Sequence, residues 1–182
     1  RSRLSFLCFV ARFNRHVAFA ARAHTEHAKP GAKTHRLFAS GERVPYYGHT
    51  LWCAMMLLME AQLPASVREP GATALLFHDI IEDTELPLPD DVTAEERALV
   101  EGMTYYGGFD EEKTAVLEKP PLIKLLKLYD KTASMYDGCL APRRYAEWTA
   151  FTERLANDVE KEYGALNVLP LARALIAKYR AA

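Results

Sequence analysis

The sequence lacks an apolar stretch long enough to cross a bilayer, which takes about 20 residues, so a membrane partner is not expected. It also lacks an excess of either charge, because 23 basic residues stand against 24 acidic ones and the formal net charge is −1. Without a general basic surface, binding to nucleic acid is not expected either. A phosphate-bearing ligand would need a local site.

Cysteine is scarce, with three residues in 182 and no pair at the Cys-x-x-Cys spacing. Cys8, Cys53 and Cys139 are far apart and odd in number, which argues against a thiolate zinc site. We interpret them as reduced, mostly buried thiols, as is typical of a cytoplasmic protein.

Alternating strand patterns are nearly absent, whereas apolar residues recur at helical spacing along most of the chain. No internal repeat or interdomain linker appears. We therefore expect one compact all-α domain over residues 1–182, with a motif-bearing core at about 17–137 and C-terminal helices at about 142–181. Residues 29–47 are predicted to form a loop. Helices are predicted at about 5–27, 48–63, 67–82, 93–105 and 110–118. Three more are predicted from Pro121, over 142–163, and after an Asn167 cap. Thr93 is the predicted N-cap of the helix over 93–105, because acids follow it in the first turn.

One apolar run, residues 75–84, carries four groups that can hold a metal or a proton. On a continuous helix His78 and Glu82 share one face, and Asp79 and Asp83 share the next, because residues four apart lie above one another. The apolar flanks indicate that this helix is buried. A buried carboxylate is costly unless it is paired or binds a metal. The pattern therefore favours a cation site over a surface helix end.

Two more candidate ligands lie on other predicted helices. His49 opens the second helix, and Asp130 is an isolated acid in a nearly all-apolar one. Together with His78 and Asp79 they offer two imidazoles and two carboxylates, a set that suits Mn²⁺, Fe²⁺, Zn²⁺ or Mg²⁺. Such an ion can generate hydroxide from water and polarise a phosphoryl oxygen.

Two acids and a basic loop complete the candidate site. Glu82 and Asp83 lie one turn beyond the ligand pair, where they can hold water as a general acid and base. The loop at 29–47 carries several basic residues, among them Lys29 and Arg36, and could clamp phosphate. For any one of these residues, a solvent-exposed position in a loop without a ligand is the commoner interpretation.

These motifs resemble those of the HD-domain metal-dependent phosphohydrolases, and most closely the hydrolase domain of the bacterial alarmone (ppGpp) synthetase/hydrolase enzymes and their small stand-alone relatives. The similar segments occur in the family's order at 20–24, 41–49, 74–84 and 127–131. The third matches the family's ALLHDxxEDT pattern nearly letter for letter. A lone His-Asp pair would be weak, whereas His-Asp-x-x-Glu-Asp with an upstream Pro-Tyr-x-x-His and a downstream Lys-Leu-x-Asp is a specific signal.

The resemblance implies an all-α HD fold with one divalent ion, commonly Mn²⁺, held by His49, His78, Asp79 and Asp130. It also implies that Glu82 and Asp83 assist a metal-bound water in attacking the phosphorus of a small nucleotide substrate. In the alarmone hydrolases that attack falls on a 3′-pyrophosphate ester and releases pyrophosphate. Relatives act on other nucleotides.

Contacts to the substrate are predicted for Lys29, Arg36, Tyr46, Lys127 and Ser134. Three features depart from the family pattern. Ser134 stands where the family has Asn, so an amide donor toward the nucleotide is lost. The basic loop is longer, and Tyr129 stands where a small residue is usual and is expected to reshape the pocket.

Two other interpretations stay open. A nucleotide-binding regulatory domain could keep the fold without turnover, although such domains typically lose ligands or the Glu-Asp pair, and here only Ser134 favours that interpretation. A purely structural helical protein would leave the buried acids unexplained. His24, His27 and His35 are expected at the surface, and nothing in the sequence specifies an oligomeric state.

Overall fold

The computed structural model describes residues 3–38, 40–138 and 140–182, and it confirms the expected all-α class. Within this part of the chain, no helix has both the length and the apolar character to span a bilayer. The α-helices are α1 (Arg3–Glu26), α2 (Tyr47–Leu58), α3 (Ala65–Phe77), α4 (Ile80–Asp83), α5 (Ala94–Met103), α6 (Phe109–Ala115), α7 (Pro121–Tyr136), α8 (Tyr145–Tyr163) and α9 (Val168–Arg180). Single 3₁₀ turns follow α6 at Val116–Glu118 and precede α8 at Pro142–Arg144.

The cysteines were expected to be mostly buried. Cys53 is buried, Cys8 is exposed against that expectation, and Cys139 lies outside the described residues.

The loop predicted at 29–47 contains a short antiparallel pair of strands, so that prediction is wrong in part. Strand β1 (His35–Leu37) pairs with β2 (Arg43–Pro45), and Arg36 lies opposite Val44. Three-residue strands are too short to show an alternating pattern, which explains why the sequence did not reveal them. We call residues 35–45 the hairpin.

Helix α7 is the centre of the core. All residues from 125 to 135 are buried, as its nearly all-apolar pattern predicts, and the helix contacts α2, α3, α5, α8 and α9. Gly71 of α3 lies where α2 and α7 approach. A Cβ atom at this position would lie 2.7 Å from Leu57 Cδ2 and 3.2 Å from Leu126 Cδ2, so the close approach depends on glycine.

The helix predicted over 67–82 is interrupted at the motif itself. Helices α3 and α4 are separated by His78 and Asp79, and Asp79 has φ −100° and ψ 0°. The His78 side chain gives the reason, since its Nδ1–H donates to the Leu75 carbonyl oxygen at 2.7 Å. That carbonyl is the acceptor that the Asp79 N–H would use in a continuous helix. Helical pairing resumes at once, because the Asp83 N–H donates to the Asp79 carbonyl at 2.8 Å.

Helix α5 begins at the predicted cap. The Thr93 hydroxyl accepts from the Glu96 N–H at 3.2 Å, and the Glu96 carboxylate accepts from the Thr93 N–H at 2.9 Å, which is a capping box. Arg12 of α1 donates to both oxygens of the same carboxylate. One buried glutamate therefore starts α5 and anchors α1 against it.

Tyr129 is fully buried and bonds to Glu60 in the α2–α3 connection instead of reshaping the pocket, so that expectation is wrong. Its hydroxyl donates to Glu60 Oε1 at 2.7 Å, and both residues are fully buried. The Glu60 carboxylate also accepts from the N–H groups of Asn167 at 2.9 Å and Val168 at 3.0 Å. The start of α9 is therefore capped by Glu60, and the Asn167 side chain predicted as its cap makes no capping bond.

We predict that Tyr129→Phe lowers the free energy of unfolding by about 2 kcal/mol, because a buried carboxylate loses a hydrogen bond that nothing replaces. Urea denaturation at unchanged slope measures this. Tyr136→Phe is the matched control, since it removes a hydroxyl from an exposed tyrosine of the same helix. Equal stability of the two variants would contradict the role assigned to Glu60.

Candidate active site

A cleft opens beside the middle of α7, and most of the predicted site lies in or beneath it. Its walls come from the hairpin, the α3–α4 junction, the α5–α6 connection and α7. The lining residues central to its chemistry are Lys33, Arg36, Tyr46, Asp79, Glu82, Tyr105, Glu112, Lys127, Asp130, Lys131, Ser134 and Trp148. His49 and His78 are buried next to these residues.

The four predicted metal ligands converge from three helical segments. Ligand atoms of His49, His78 and Asp79 all lie within 4.8 Å of one another. Asp130 Oδ1 lies 3.3 Å from His49 Nε2 and 3.7 Å from His78 Nε2. Residues far apart in the sequence thus meet at one point, as the motifs predicted.

The donor set fits a divalent cation, and the His78 ring shows why. Its Nδ1–H is donated to the Leu75 carbonyl oxygen, so in the neutral ring Nε2 carries a lone pair. Nε2 is buried and has no hydrogen-bond partner in the described part of the chain. It lies 3.2 Å from Asp79 Oδ2, and a lone pair facing a carboxylate oxygen is repulsive unless a cation lies between them.

The protonation states of His78 and Asp130 depend on the charged groups that surround them. Burial alone would lower the pKa of His78, but the negative charges of Asp79 and Asp130 raise it to about 9. Burial likewise opposes ionisation of Asp130, yet Lys131, Lys127 and the histidines hold its pKa well below the usual range. Without a metal the cluster therefore holds a proton, and a metal ion would replace that proton.

Tyr46 and Arg36, both predicted to contact substrate, touch the outer side of the cluster. The Tyr46 hydroxyl donates to Asp79 Oδ2 at 2.6 Å. Arg36 Nη1 donates to Asp137 Oδ2 at 2.5 Å, and its guanidinium carbon lies 5.2 Å from the centre of the Tyr46 ring. Asp137 Oδ2 in turn lies 3.6 Å from His49 Nδ1.

Glu82 and Asp83 stand on α4, directly after the ligand pair. Glu82 lines the cleft, and its Oε1 accepts from the Tyr105 N–H at 2.7 Å. Burial and the charge of Asp79 raise the pKa of Glu82 to about 7 and that of Asp83 to about 6. A carboxyl group that titrates near neutrality is suited to accept and return a proton.

Lys29 does not line the cleft, where a residue that clamps phosphate would have to lie. Its ammonium donates to the carbonyl oxygens of Ile81 at 2.7 Å and Glu82 at 3.1 Å. The backbone of the same stretch is also joined to α4, because the Lys29 N–H donates to the Asp83 carbonyl at 2.8 Å. Lys29 therefore fixes the helix that carries the two acids, while Lys33 of the same loop lines the cleft.

Sequence reasoning missed two charged groups in the cleft wall. Glu112 of α6 pairs with Lys131 at 2.7 Å and with Lys127 at 3.3 Å, and both lysines also reach Asp130. Lys131 lies in the 127–131 motif and could have been found there. Glu112 is one of several acids in a polar helix, and nothing in the sequence distinguishes it.

His24 was also misjudged, because it is completely buried instead of lying at the surface. Its ring centre lies 5.2 Å from that of Tyr46, and burial lowers its pKa to about 4. The small residues around it were the available signal, since Ala20 and Ala23 are fully buried as well. His35 is exposed and His27 is partly exposed.

A scan of the sequence against protein-family models finds no match, and a comparison with curated proteins finds none. A comparison with solved structures does find similar folds. One of them is described as a metazoan ortholog of SpoT that hydrolyses ppGpp and plays a role in starvation responses. It is 19% identical, has a TM-score of 0.68, and the match covers 92% of this chain and 95% of that one. This chain shares the fold of that protein. The fold expected from the motifs is thereby confirmed.

We predict that Mn²⁺ at about 100 times its dissociation constant stabilises the protein by about 2.7 kcal/mol, because the ion binds the folded cluster and not the unfolded chain. Thermal unfolding with Mn²⁺ and with a chelator measures this. His78→Gln should lose the response, and His27→Gln should keep it because His27 lies outside the cluster. A full response in His78→Gln would contradict the proposed ligand set.

Proposed function

We propose that this protein is a metal-dependent phosphohydrolase that cleaves a phosphoester of a small nucleotide, with a (p)ppGpp-type 3′-pyrophosphate as the leading candidate. The observation that carries the proposal is the close approach of His49, His78, Asp79 and Asp130 beside the cleft, where the buried Nε2 of His78 lies 3.2 Å from Asp79 Oδ2 and 3.7 Å from Asp130 Oδ1. The similarity in fold to a protein that hydrolyses ppGpp supports the choice of substrate.

The four ligands would hold one divalent ion. Two imidazoles and two carboxylates suit Mn²⁺, and they are also compatible with Fe²⁺, Zn²⁺ or Mg²⁺. When bound, such an ion supplies a Lewis acid that polarises a phosphoryl oxygen and lowers the pKa of water.

Glu82 is our choice for the residue that moves the proton. It lines the cleft with Asp79 and Asp130, and its bond to the Tyr105 N–H fixes the position of the carboxylate. Its raised pKa lets it take a proton from water and return it to the leaving group. We assign Asp83, four residues after Asp79 on α4, an assisting role.

Lys127 and Lys131 supply the positive charge that a transferring phosphoryl group needs. Both are buried in the cleft wall, and neighbouring carboxylates keep the pKa of Lys127 above its usual range even though burial opposes this. Fixed charges in a site with little water stabilise the developing negative charge more strongly than mobile ones. We therefore retain Lys127 as a substrate contact and add Lys131.

The rest of the nucleotide is assigned to a groove that continues from the cleft. The two share Lys33, Arg36, Ser134 and Trp148, and the groove has a volume of about 730 Å³. It is basic, because Arg143 and Arg144 line it together with Lys33. Phosphates would meet these cations, and a base could stack on an aromatic side chain such as that of Trp148.

We predict that Glu82→Gln lowers the rate of Mn²⁺-dependent pyrophosphate release from ppGpp by about 10²–10⁴-fold, because the amide cannot accept a proton. The affinity for Mn²⁺ should stay unchanged, since Glu82 is not a ligand. Turnover is measured by pyrophosphate release, and Mn²⁺ affinity by titration of the purified protein. Glu85→Gln is the control, because it removes an exposed acid just beyond α4.

The substrate panel separates the remaining interpretations. Release from another nucleotide would keep the mechanism and change the substrate. Bound metal without turnover on any nucleotide would contradict the proposal and favour a nucleotide-binding regulatory domain. Loss of Mn²⁺ binding in Glu82→Gln would contradict the division between ligands and acid.

We predict that Arg144→Gln raises KM for the nucleotide by about 10-fold with little change in kcat, because a groove cation bound to a non-reacting phosphate contributes equally before and during the reaction. Steady-state kinetics at saturating Mn²⁺ measure both constants. Arg154→Gln removes an exposed arginine of α8 that does not line the groove, and it should change neither. A fall in kcat at constant KM would place Arg144 at the reacting group instead.

A further inference from the structure

We propose that Arg36 positions the metal ligands instead of gripping the substrate, and that it does so from the hairpin through Asp137 and Tyr46. This inference rests on the metal site of the proposed function. The hairpin supplies none of the predicted ligands. Through Arg36 it would nevertheless control the affinity of the site for its ion.

The first connection runs from Arg36 to His49. Arg36 Nη1 donates to Asp137 Oδ2 at 2.5 Å, and that oxygen lies 3.6 Å from His49 Nδ1. The opposite ring nitrogen, Nε2, faces Asp130 at 3.3 Å. If a cation offsets the nearer charge of Asp130, the carboxylate beside Nδ1 favours the tautomer with hydrogen on Nδ1, which leaves the Nε2 lone pair for the ion.

The second connection runs from Arg36 to Asp79. The guanidinium lies over the Tyr46 ring, with 5.2 Å between its carbon and the ring centre. The Tyr46 hydroxyl donates to Asp79 Oδ2 at 2.6 Å. One side chain therefore contacts the outer partners of an imidazole ligand and of a carboxylate ligand.

The contacts of Arg36 argue against a free phosphate clamp. Its side chain is only 10% exposed, and Nη2 lies 3.4 Å from Ser134 Oγ. A phosphate would have to compete with the charge-assisted bond to Asp137, which is short and buried on both sides. Because Ser134 ends at its hydroxyl, the guanidinium can approach α7 to this distance.

The hairpin explains how the arginine is held. Arg36 is the middle residue of β1 and pairs with Val44 of β2. The chain then enters α2 through Tyr46, and the Tyr46 N–H donates to the Thr34 carbonyl at 2.9 Å. These backbone contacts therefore fix Arg36 and Tyr46 relative to each other, independently of their contacts with the metal-site residues.

The test is the dissociation constant for Mn²⁺ of the full-length protein, obtained by electron paramagnetic resonance of free Mn²⁺. Arg36→Gln and Asp137→Asn should each weaken Mn²⁺ binding by about 10–100-fold, the usual effect of losing an outer partner of a ligand. Arg36→Lys should recover only part of the loss, because an ammonium lacks the planar group that stacks on Tyr46. Arg43→Gln, which removes an exposed charge from the same hairpin, should bind Mn²⁺ like the wild type.

Thermal unfolding without metal accompanies each titration, so that a folding defect is recognised. If Arg36→Gln does not fold, Asp137→Asn and Tyr46→Phe test the two connections separately. Unchanged Mn²⁺ affinity in Arg36→Gln and Asp137→Asn would overturn the inference, and a raised KM in Arg36→Gln would then make Arg36 a substrate contact. Wild-type protein that binds Mn²⁺ without hydrolysing any nucleotide would contradict the proposed function alone, since the ratio of dissociation constants still decides the role of Arg36.

Discussion

The balance of charge around two buried imidazoles is the constraint on which the rest of the site depends. Asp79 and Asp130 bring carboxylate oxygens close to His49 and His78 in a region that excludes most water. Without compensation this arrangement would be strongly unfavourable, because charges are poorly screened there. The buried ammonium of Lys127 on the same helix supplies part of the compensation, and a bound cation would supply the rest.

Different helices bring the charged groups to the cluster from different sides. Helix α7, buried on nearly all sides, delivers Asp130 and the two lysines to one side of the cluster. The α3–α4 junction delivers His78 and Asp79 from the other side, and the His78 ring itself ends α3 by taking a backbone acceptor. Lys29 then holds α4 by its carbonyl oxygens, so that Glu82 faces the cleft. The break in the helix is thus part of the construction of the site.

The sequence was most informative where a pattern is repeated or locally unusual. The all-α class, the cap at Thr93 and the central helix with its isolated Asp130 follow from helical spacing and from the cost of burying an acid. The convergence of the four predicted ligands could be expected because their motifs occur in the order of the family that the sequence resembles. Their individual roles remain predictions.

The parts that the sequence could not show depend on long-range contacts. The bond between Tyr129 and Glu60 joins residues 69 positions apart, and no local pattern reveals that Glu60 caps α9. The link from Arg36 to Asp137 spans 101 positions. The break at His78 was hidden because a side chain competing for one carbonyl leaves the apolar spacing intact.

The most direct test of the account is the position of Mn²⁺ in a crystal of the protein, located by anomalous scattering at the manganese edge. The account predicts one strong site enclosed by His49, His78, Asp79 and Asp130. A crystal containing Mn²⁺ with no ion at that position, or with the ion at another group of acids, would contradict the central claim that these charges exist to hold a metal.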